Sequence, residues 1–394
     1  MHPHVITKIY RILIVVFISS SVHGQNRKIT SSLNPGCGEC SNSSTLVYIR
    51  ALGAQDTIHQ IWDFTKHLPT VILVVGSINS SLSIQWDRTV PTNFAWSELP
   101  LYSFATVIDS LYEYDDLDDS GSFDPRRPYK EYRFTRTSWA LEDIVLTDKE
   151  VMVQMHGHIN NDGLNGVVFI KFDLFPFKDY AAELPHLIHT ANSTQVDVSL
   201  ERLPVSREYN ASRFAVHLVL ASSEDPASTL HYVMRKSLDD EHTPGVFEII
   251  EIKTPSLFDG QDGGYLQFRP IGYTARERNV GSSTMAHVSS FNRTSLPQRS
   301  TVATFYKKQM LLVQDMVVSF GDSGDGFYRQ HNYTAWSFTM GYGTPPVESF
   351  SVFVVAVITA GLTVPALLAL SGVAVVLRRR WARDTLPTRL TNED

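Results

Sequence analysis

Cysteine is almost absent from the 394-residue chain, which contains only Cys37 and Cys40. Two residues separate them, so a bond between them would close one short loop and would not tie distant segments together. The C-x-x-C spacing also occurs in redox motifs, but those begin a helix next to a βαβ unit, whereas this pair lies in a stretch rich in Gly, Pro and Ser. We interpret Cys37 and Cys40 as a candidate local disulfide; pairing with another chain is the alternative.

Positive charge is also in short supply. The 34 Lys and Arg residues are outnumbered by 41 Asp and Glu, which gives a net charge of −7. The negative excess falls between residues 25 and 349, because both ends of the chain are net positive. An acidic surface of this kind argues against nucleic acid and against anionic lipid as binding partners.

Helical periodicity is missing before residue 350, where no apolar 3.6-residue repeat extends beyond about three turns. β-Branched and aromatic residues instead fill about a dozen short runs that Gly, Pro, Asn, Asp and Ser separate. Such runs include Thr70–Val75, Ser81–Trp86, Phe214–Leu220 and Val302–Tyr306. They predict an all-β, sandwich-like domain, built as two packed units or as one large sandwich. A less strand-like stretch near residue 180 divides it into halves at 25–180 and 181–349.

A signal peptide is indicated at the N-terminus. Lys8 and Arg11 accompany an apolar run at residues 12–18, which is too short to cross the ~30 Å hydrocarbon core of a bilayer. Small and polar residues follow, as is typical of a cleavage site. We therefore predict a signal peptide over residues 1–24.

Charged side chains are absent from residues 350–377 near the C-terminus. A helix of that length measures about 42 Å, enough to span a bilayer. Arginines follow directly, at 378–380 and 383, and positive residues stay on the cytosolic side. The sequence predicts one transmembrane helix at 350–377, a cytosolic tail at 378–394 and a type I topology with the β domain outside the cytosol.

Six N-x-Ser/Thr sequons lie between the signal peptide and the transmembrane helix, on the side that this topology exposes to glycosylation. The candidate N-glycosylation sites are Asn42, Asn79, Asn192, Asn210, Asn292 and Asn332.

Small residues form stripes along the predicted transmembrane helix, where they would let a partner helix approach closely. Pro365 can bend the helix around such a partner. Ordinary membrane-helix composition is the alternative explanation. The helix-packing candidates are Ala356, Thr359, Ala360, Thr363 and Ala366.

Two motif-like sequences point to chemistry that the rest of the chain does not support. Gly321–Gly324 reads Gly-Asp-Ser-Gly, as around a trypsin-like nucleophile, but the segment that would supply the histidine base is missing. Asp116–Gly121 resembles the start of an EF-hand loop, yet Arg127 stands where a bidentate glutamate should be. We interpret the first as a turn between strands and the second as an acidic surface loop.

Two histidine pairs are candidate metal ligands, His156 with His158 and His186 with His189. Neither pair has a third ligand at a recognised spacing. We therefore predict no catalytic, metal or cofactor site.

Distinctive strings nevertheless occur in a recognisable order along most of the chain. They are Tyr48–Gly53, Ile61–Trp62, Ser81–Trp86, Arg127–Tyr129, His189–Ala191, Ser237–Glu241, Pro244–Phe247, Phe268–Pro270, Gln330–His331, Trp336–Ser337 and Gly343–Val347. Together they resemble the glycosylated lysosomal membrane protein family. The family is expected to carry a luminal cysteine where Thr194 stands and a tyrosine-based sorting signal in the tail, which here has no tyrosine.

The resemblance implies a lysosomal, non-catalytic protein that acts as the accessory subunit of a major-facilitator transporter exporting dipeptides. Such a subunit protects the transporter from luminal proteases and helps to keep it in the lysosome. It needs no cofactor and no small-molecule substrate of its own. Two other functions stay open at this point: a membrane-tethered luminal hydrolase, and a cell-surface adhesion or receptor module.

Overall fold

The computed structural model describes residues 27–40, 44–161, 164–177, 181, 183–224, 231–243, 246–307, 310–346 and 352–384. The predicted signal peptide at 1–24, the sequon asparagine Asn42 and the end of the tail at 385–394 lie outside the described residues.

Strands make up most of the β domain, and every pairing between them is antiparallel. They are β1 (Lys28–Leu33), β2 (Leu46–Leu52), β3 (Asp56–Asp63), β4 (Thr70–Ser77), β5 (Leu82–Asp87), β6 (Val90–Trp96), β7 (Tyr102–Asp115), β8 (Tyr129–Arg133), β9 (Trp139–Leu146), β10 (Val151–Asn161), β11 (Leu164–Leu174), β12 (Ser193–Glu201), β13 (Ser212–Ser222), β14 (Val233–Thr243), β15 (Val246–Lys253), β16 (Gly264–Phe268), β17 (Ile271–Tyr273), β18 (Ser283–Val288), β19 (Asn292–Arg293), β20 (Leu312–Phe320) and β21 (Tyr333–Tyr342).

Helices are few and mostly short. The α-helices are α1 (Pro255–Phe258), α2 (Thr301–Tyr306), α3 (Tyr328–His331) and α4 (Val352–Asp384), and single 3-10 turns occur at Phe134–Arg136 and Val280–Ser282. The predicted strand at Val302–Tyr306 is wrong, because this segment forms α2. The Ser300 side chain caps the helix by accepting a hydrogen bond from the Ala303 backbone N–H at 3.1 Å, a contact that favours helix over strand.

The strands form two layers. The first runs in the order β1-β2-β3-β4-β7-β13-β20, and the second in the order β9-β10-β11-β12-β21-β16-β15-β14. Strand β17 pairs with β21 and β18, and β18 pairs with β20, so the layers are joined along one side. The all-β, sandwich-like prediction is confirmed.

The halves drawn on either side of residue 180 do not form separate units. β7, from the first half, pairs along most of its length with β13 from the second. β11 similarly pairs with β12 across the less strand-like stretch. The described residues between 27 and 346 therefore form one compact unit, and those of 352–384 form another.

The layers meet through large side chains that alternate with outward-facing residues. Trp62 on β3 packs its ring edge-on against Phe172 on β11, with ring centroids 5.9 Å apart. Its indole N–H donates to the Thr194 hydroxyl on β12 at 3.2 Å. Thr194 stands where the family was expected to have a cysteine. Its buried hydroxyl gives the Trp62 indole an acceptor on the opposite layer, which the indole would otherwise lack.

The outer side of the first layer is also covered. Strands β5 and β6 form a separate hairpin, and Phe94 and Trp96 of β6 pack against Phe305 of α2. As a result β3 and β4 are buried on both faces along almost their whole length. This double burial explains why Thr70–Val75 is a continuous apolar run with no polar alternation.

Cys37 and Cys40 are joined by a disulfide whose Cα atoms are 5.7 Å apart. The bond lies in the loop between β1 and β2, where the Asn34 backbone N–H donates to the Leu46 carbonyl at 2.8 Å. The disulfide therefore stays within one hairpin connection and links no distant strands.

Helix α4 contains one segment long and apolar enough to cross a membrane, Val357–Trp381. The helix continues past the predicted end at 377 and includes the arginines at 378–380 and 383. Pro365 lies inside it. The Thr363 hydroxyl donates to the Thr359 carbonyl one turn earlier, a bond that satisfies this polar side chain within the helix itself.

The contact between the layers predicts a large cost for removing Trp62. We expect Trp62→Ala to lower the free energy of unfolding by about 3–5 kcal/mol, because the fully buried ring leaves a cavity and Thr194 loses its donor. Chemical denaturation of the detergent-solubilised chain, followed by circular dichroism, measures the change. Leu117→Ala is the control, since Leu117 is 71% exposed. Equal effects of the two substitutions would contradict this account of the core.

Candidate functional site

The acidic loop and the Gly-Asp-Ser-Gly turn meet around one buried arginine. Arg213, on β13, donates from Nε to Asp116 at 2.7 Å and from Nη2 to Asp119 at 2.6 Å and Asp325 at 2.9 Å. Its Nη1 donates to the Gly326 carbonyl at 3.0 Å. The guanidinium thus joins the loop after β7 to the loop after β20, and the three carboxylates have a fixed cation at their centre.

The two loops touch where each has a glycine. Gly121 has a φ of +68°, and a Cβ at this position would lie 2.1 Å from the Gly321 carbonyl oxygen. A Cβ on Gly321 would in turn lie 2.4 Å from the Arg213 guanidinium carbon. Only glycine fits at either position, so the close packing around Arg213 explains why residues 121 and 321 are both glycine.

This geometry explains both motif-like sequences. Arg127, at the last position of the EF-hand-like loop, pairs with Asp118 at 2.7 Å. Ser323 is exposed in the turn between β20 and α3, and the described structure assigns its hydroxyl no hydrogen bond to a histidine. The structure therefore assembles neither a glutamate-terminated calcium loop nor a serine–histidine pair at these motifs.

One serine–histidine pair does exist, and sequence analysis missed it. His59 Nε2 lies 2.8 Å from the Ser80 hydroxyl, and His59 Nδ1 lies 2.7 Å from the Tyr48 hydroxyl. Burial, aided by the positive charge of Arg50, lowers the pKa of His59 to about 4. Ser80 is only 1% exposed and the His59 ring packs against Trp96. A substrate cannot reach the hydroxyl, so the trio stabilises the packing under the β5–β6 hairpin.

The histidines predicted as candidate metal ligands contact other protein groups. His156 Nδ1 contacts Glu142 at 2.7 Å, and its ring lies edge-on to His158 on the same strand. His186 Nδ1 bonds to the Ala181 carbonyl at 2.9 Å instead. Among the described residues, no group of three His, Cys, Asp or Glu side chains has a metal-binding arrangement.

The described sequon asparagines differ in environment. Asn79, Asn210, Asn292 and Asn332 are exposed. Asn192 is half-buried, and its side-chain oxygen accepts a hydrogen bond from the buried Arg27 at 2.5 Å. Four of the predicted glycosylation positions can therefore carry a glycan without displacing the neighbouring packing.

Two buried carboxylates lie on the outer side of the second layer. Asp197 is held by Arg278 at 3.0 Å and accepts from Gln195 at 2.9 Å. Asp173 has Lys171 at 2.9 Å, but its carboxylate is almost fully enclosed. Burial outweighs this attraction and raises the pKa of Asp173 to about 7. Asp173 is therefore protonated in an acidic compartment.

Comparison with known proteins places these features in a family. The family model described as glycosylated lysosomal membrane protein matches residues 45–383. The chain belongs to the glycosylated lysosomal membrane protein family. The Danio rerio glycosylated lysosomal membrane protein is 28% identical over 377 residues, covering 91% of each chain. The Mus musculus protein is 27% identical over 86% of this chain and 85% of its own, and the Homo sapiens protein is 27% identical over 84% and 83%.

Family membership confirms the resemblance seen in the sequence and the assignment to the lysosomal membrane. The apolar part of α4 is consistent with a single-pass anchor. The glycosylated lysosomal membrane proteins similar to this chain carry no enzyme name.

Sequence analysis missed Arg213 as the centre of the acidic loops, although a charged residue at the start of an otherwise apolar strand was the available signal.

The Arg213 cluster predicts a strong asymmetry between two arginines. We expect Arg213→Met to cost about 3–5 kcal/mol of stability, because three carboxylates lose their buried cation. Arg213→Lys should fall between wild type and Arg213→Met, since it restores the charge without the fork of donors. Arg126→Met, at a side chain 87% exposed, should change stability by less than about 1 kcal/mol. Similar losses in Arg213→Met and Arg126→Met, measured by denaturant unfolding, would refute the cluster's role.

The raised pKa of Asp173 predicts a contribution that is larger in acid. In the unfolded chain an aspartate titrates near ~3.9, whereas the folded value is about 7. Its stabilising contribution is therefore complete below the unfolded pKa, declines as the pH rises and is lost above about 7. We expect Asp173→Asn to reduce the difference in melting temperature between pH 5 and pH 7.5. Asp148→Asn, in an exposed turn, should leave that difference unchanged; an unaltered difference in Asp173→Asn would exclude this titration.

Proposed function

We propose that this protein is a non-catalytic accessory subunit of a lysosomal major-facilitator transporter that exports dipeptides. In this role it binds the transporter in the membrane, shields it from luminal proteases and supports its residence in the lysosome. Family membership supports the lysosomal setting. The exposed glycosylation positions and the apolar helix α4 support the shielding role.

The distribution of glycosylation positions is the observation that carries the proposal. Asn79 follows β4, whose Val75 pairs with Tyr102 at the start of β7. The Asn210 backbone N–H donates to Asp115 at the end of β7 at 3.1 Å. The 14 residues of β7 extend roughly 45 Å, so exposed sequons occur at both ends of the sandwich. Bulky glycans at these positions would keep proteases away from the domain and from whatever it covers.

The buried serine–histidine pair also favours shielding over turnover. Ser80 and His59 have hydrogen-bonding geometry but no access to substrate, because Ser80 is 1% exposed and His59 is fully buried. The Arg213 carboxylates are likewise occupied by an internal cation. Neither cluster supports the hydrolase alternative.

Helix α4 supplies a surface for the transporter's own helices. Among its small residues, Ala360 is exposed and Thr359 is half-exposed in the described structure. Ala356, four residues before Ala360, belongs to the stripe of Ala360 by sequence, and Thr359 lies on the neighbouring stripe. Small side chains allow close approach between membrane helices, so a substitution that adds bulk here should weaken association and leave the anchor apolar.

Removal of this chain from cells should shorten the half-life of the transporter, measured by pulse-chase, and inhibitors of luminal proteases should restore it. Re-expression of the wild-type chain should also restore it, whereas the Ala356→Leu/Ala360→Leu variant should restore it only in part. Leu367→Ile, at an exposed apolar position, is the matched helix control. A half-life that is the same with and without the chain would refute the proposal.

A further inference from the structure

An open groove of about 320 Å³ lies beside the sequon asparagine Asn332. Its walls come from the end of β12, the segment after β17 and the junction of α3 with β21. The volume falls at the lower end of the range for small-molecule pockets. The residues that the argument uses are Glu201, Arg202, Arg276, Asn332 and Tyr333.

The backbone of Asn332 is held in place from both sides. Its N–H donates to the Tyr328 carbonyl at 2.7 Å, and its carbonyl accepts from the Arg202 N–H at 2.8 Å. It adopts the left-handed conformation that ends α3, with a φ of 55°, which asparagine tolerates better than most residues. A glycan on this side chain therefore starts from a fixed point at the edge of the groove.

The groove offers the mixture of surfaces that a sugar ring requires. Tyr333 contributes a half-exposed aromatic ring whose hydroxyl is 3.4 Å from Ser199. The Arg276 guanidinium is fixed by an ion pair with Glu201. In the described part of the chain, the Arg202 side chain makes no hydrogen bond or ion pair. A pyranose has an apolar C–H face for the ring, and its hydroxyl and acetamide oxygens can accept hydrogen bonds from a guanidinium.

We propose that this groove binds the first N-acetylglucosamine of the glycan attached to Asn332. Single sugars bind proteins weakly, but covalent attachment through a short tether gives an effective concentration of about millimolar or more. Weak contacts are therefore enough to keep the groove filled. The bound sugar bridges three chain segments and is protected from enzymes that cut at the asparagine. This inference depends on glycan attachment and is independent of the proposed function.

The other exposed sequon asparagines supply internal references. Asn210 lies in the connection between β12 and β13, and Asn292 lies on the short strand β19. Neither is among the residues that line this groove. Their glycans should extend into solvent, so the same protein sample contains a protected and an unprotected site.

Native deglycosylation of the full chain, purified from mammalian cells in detergent, tests the inference. Peptide N-glycosidase F treatment in ¹⁸O-labelled water, followed by mass spectrometry, gives a release rate for each asparagine. We expect release at Asn332 to be roughly tenfold slower than at Asn210 and Asn292 in the native protein, and equal after denaturation.

Groove variants distinguish binding from simple crowding around Asn332. Arg202→Ala should bring the Asn332 rate close to that of Asn210, whereas Arg126→Ala, at another exposed arginine, should not change it. Equal native rates at Asn332 and Asn210, a rate unaffected by Arg202→Ala, or the absence of a glycan on Asn332 would each overturn the proposal.

Discussion

Burial on both faces of the central strands is the constraint on which this structure depends. The single disulfide links residues three apart, so it adds nothing to the contacts between distant strands. Strands β3 and β4 are instead enclosed between the opposite layer and an outer cover along nearly their whole length. The hydrophobic effect from this enclosure supplies most of the stability available to a domain without long-range cross-links.

Such enclosure forces polar groups in the covered faces to find internal partners or to remain uncharged. Arg213 collects three carboxylates, and Asp197 pairs with Arg278. Asp63, beneath α2, is fully enclosed, and burial raises its pKa although Thr301 and Thr65 donate to it. The luminal side of the lysosomal membrane is acidic. Carboxyl groups that resist ionisation suit that environment, because they remain neutral where an exposed carboxylate would be charged.

The sequence was most informative where a pattern had one physical explanation. The continuous run at Thr70–Val75 was interpreted correctly as a buried strand, because double burial leaves a direct trace in composition. The segment at Val302–Tyr306 was misread, since its β-branched and aromatic residues suit a strand while the Ser300 cap decides for a helix. The Ser80–His59 pair and the enclosure of Asp173 could not be predicted from the sequence, because they depend on contacts between residues 21 positions apart or more.

We propose that the glycosylated sandwich domain protects its membrane neighbour by covering it and not by catalysis. The most direct measurement is the cleavage rate of the purified dipeptide transporter in nanodiscs, exposed to luminal proteases at acidic pH with and without this chain. The account predicts that cleavage in the transporter's luminal loops slows markedly when the glycosylated chain is present. Identical cleavage rates in the two preparations, with the chain bound, would contradict it.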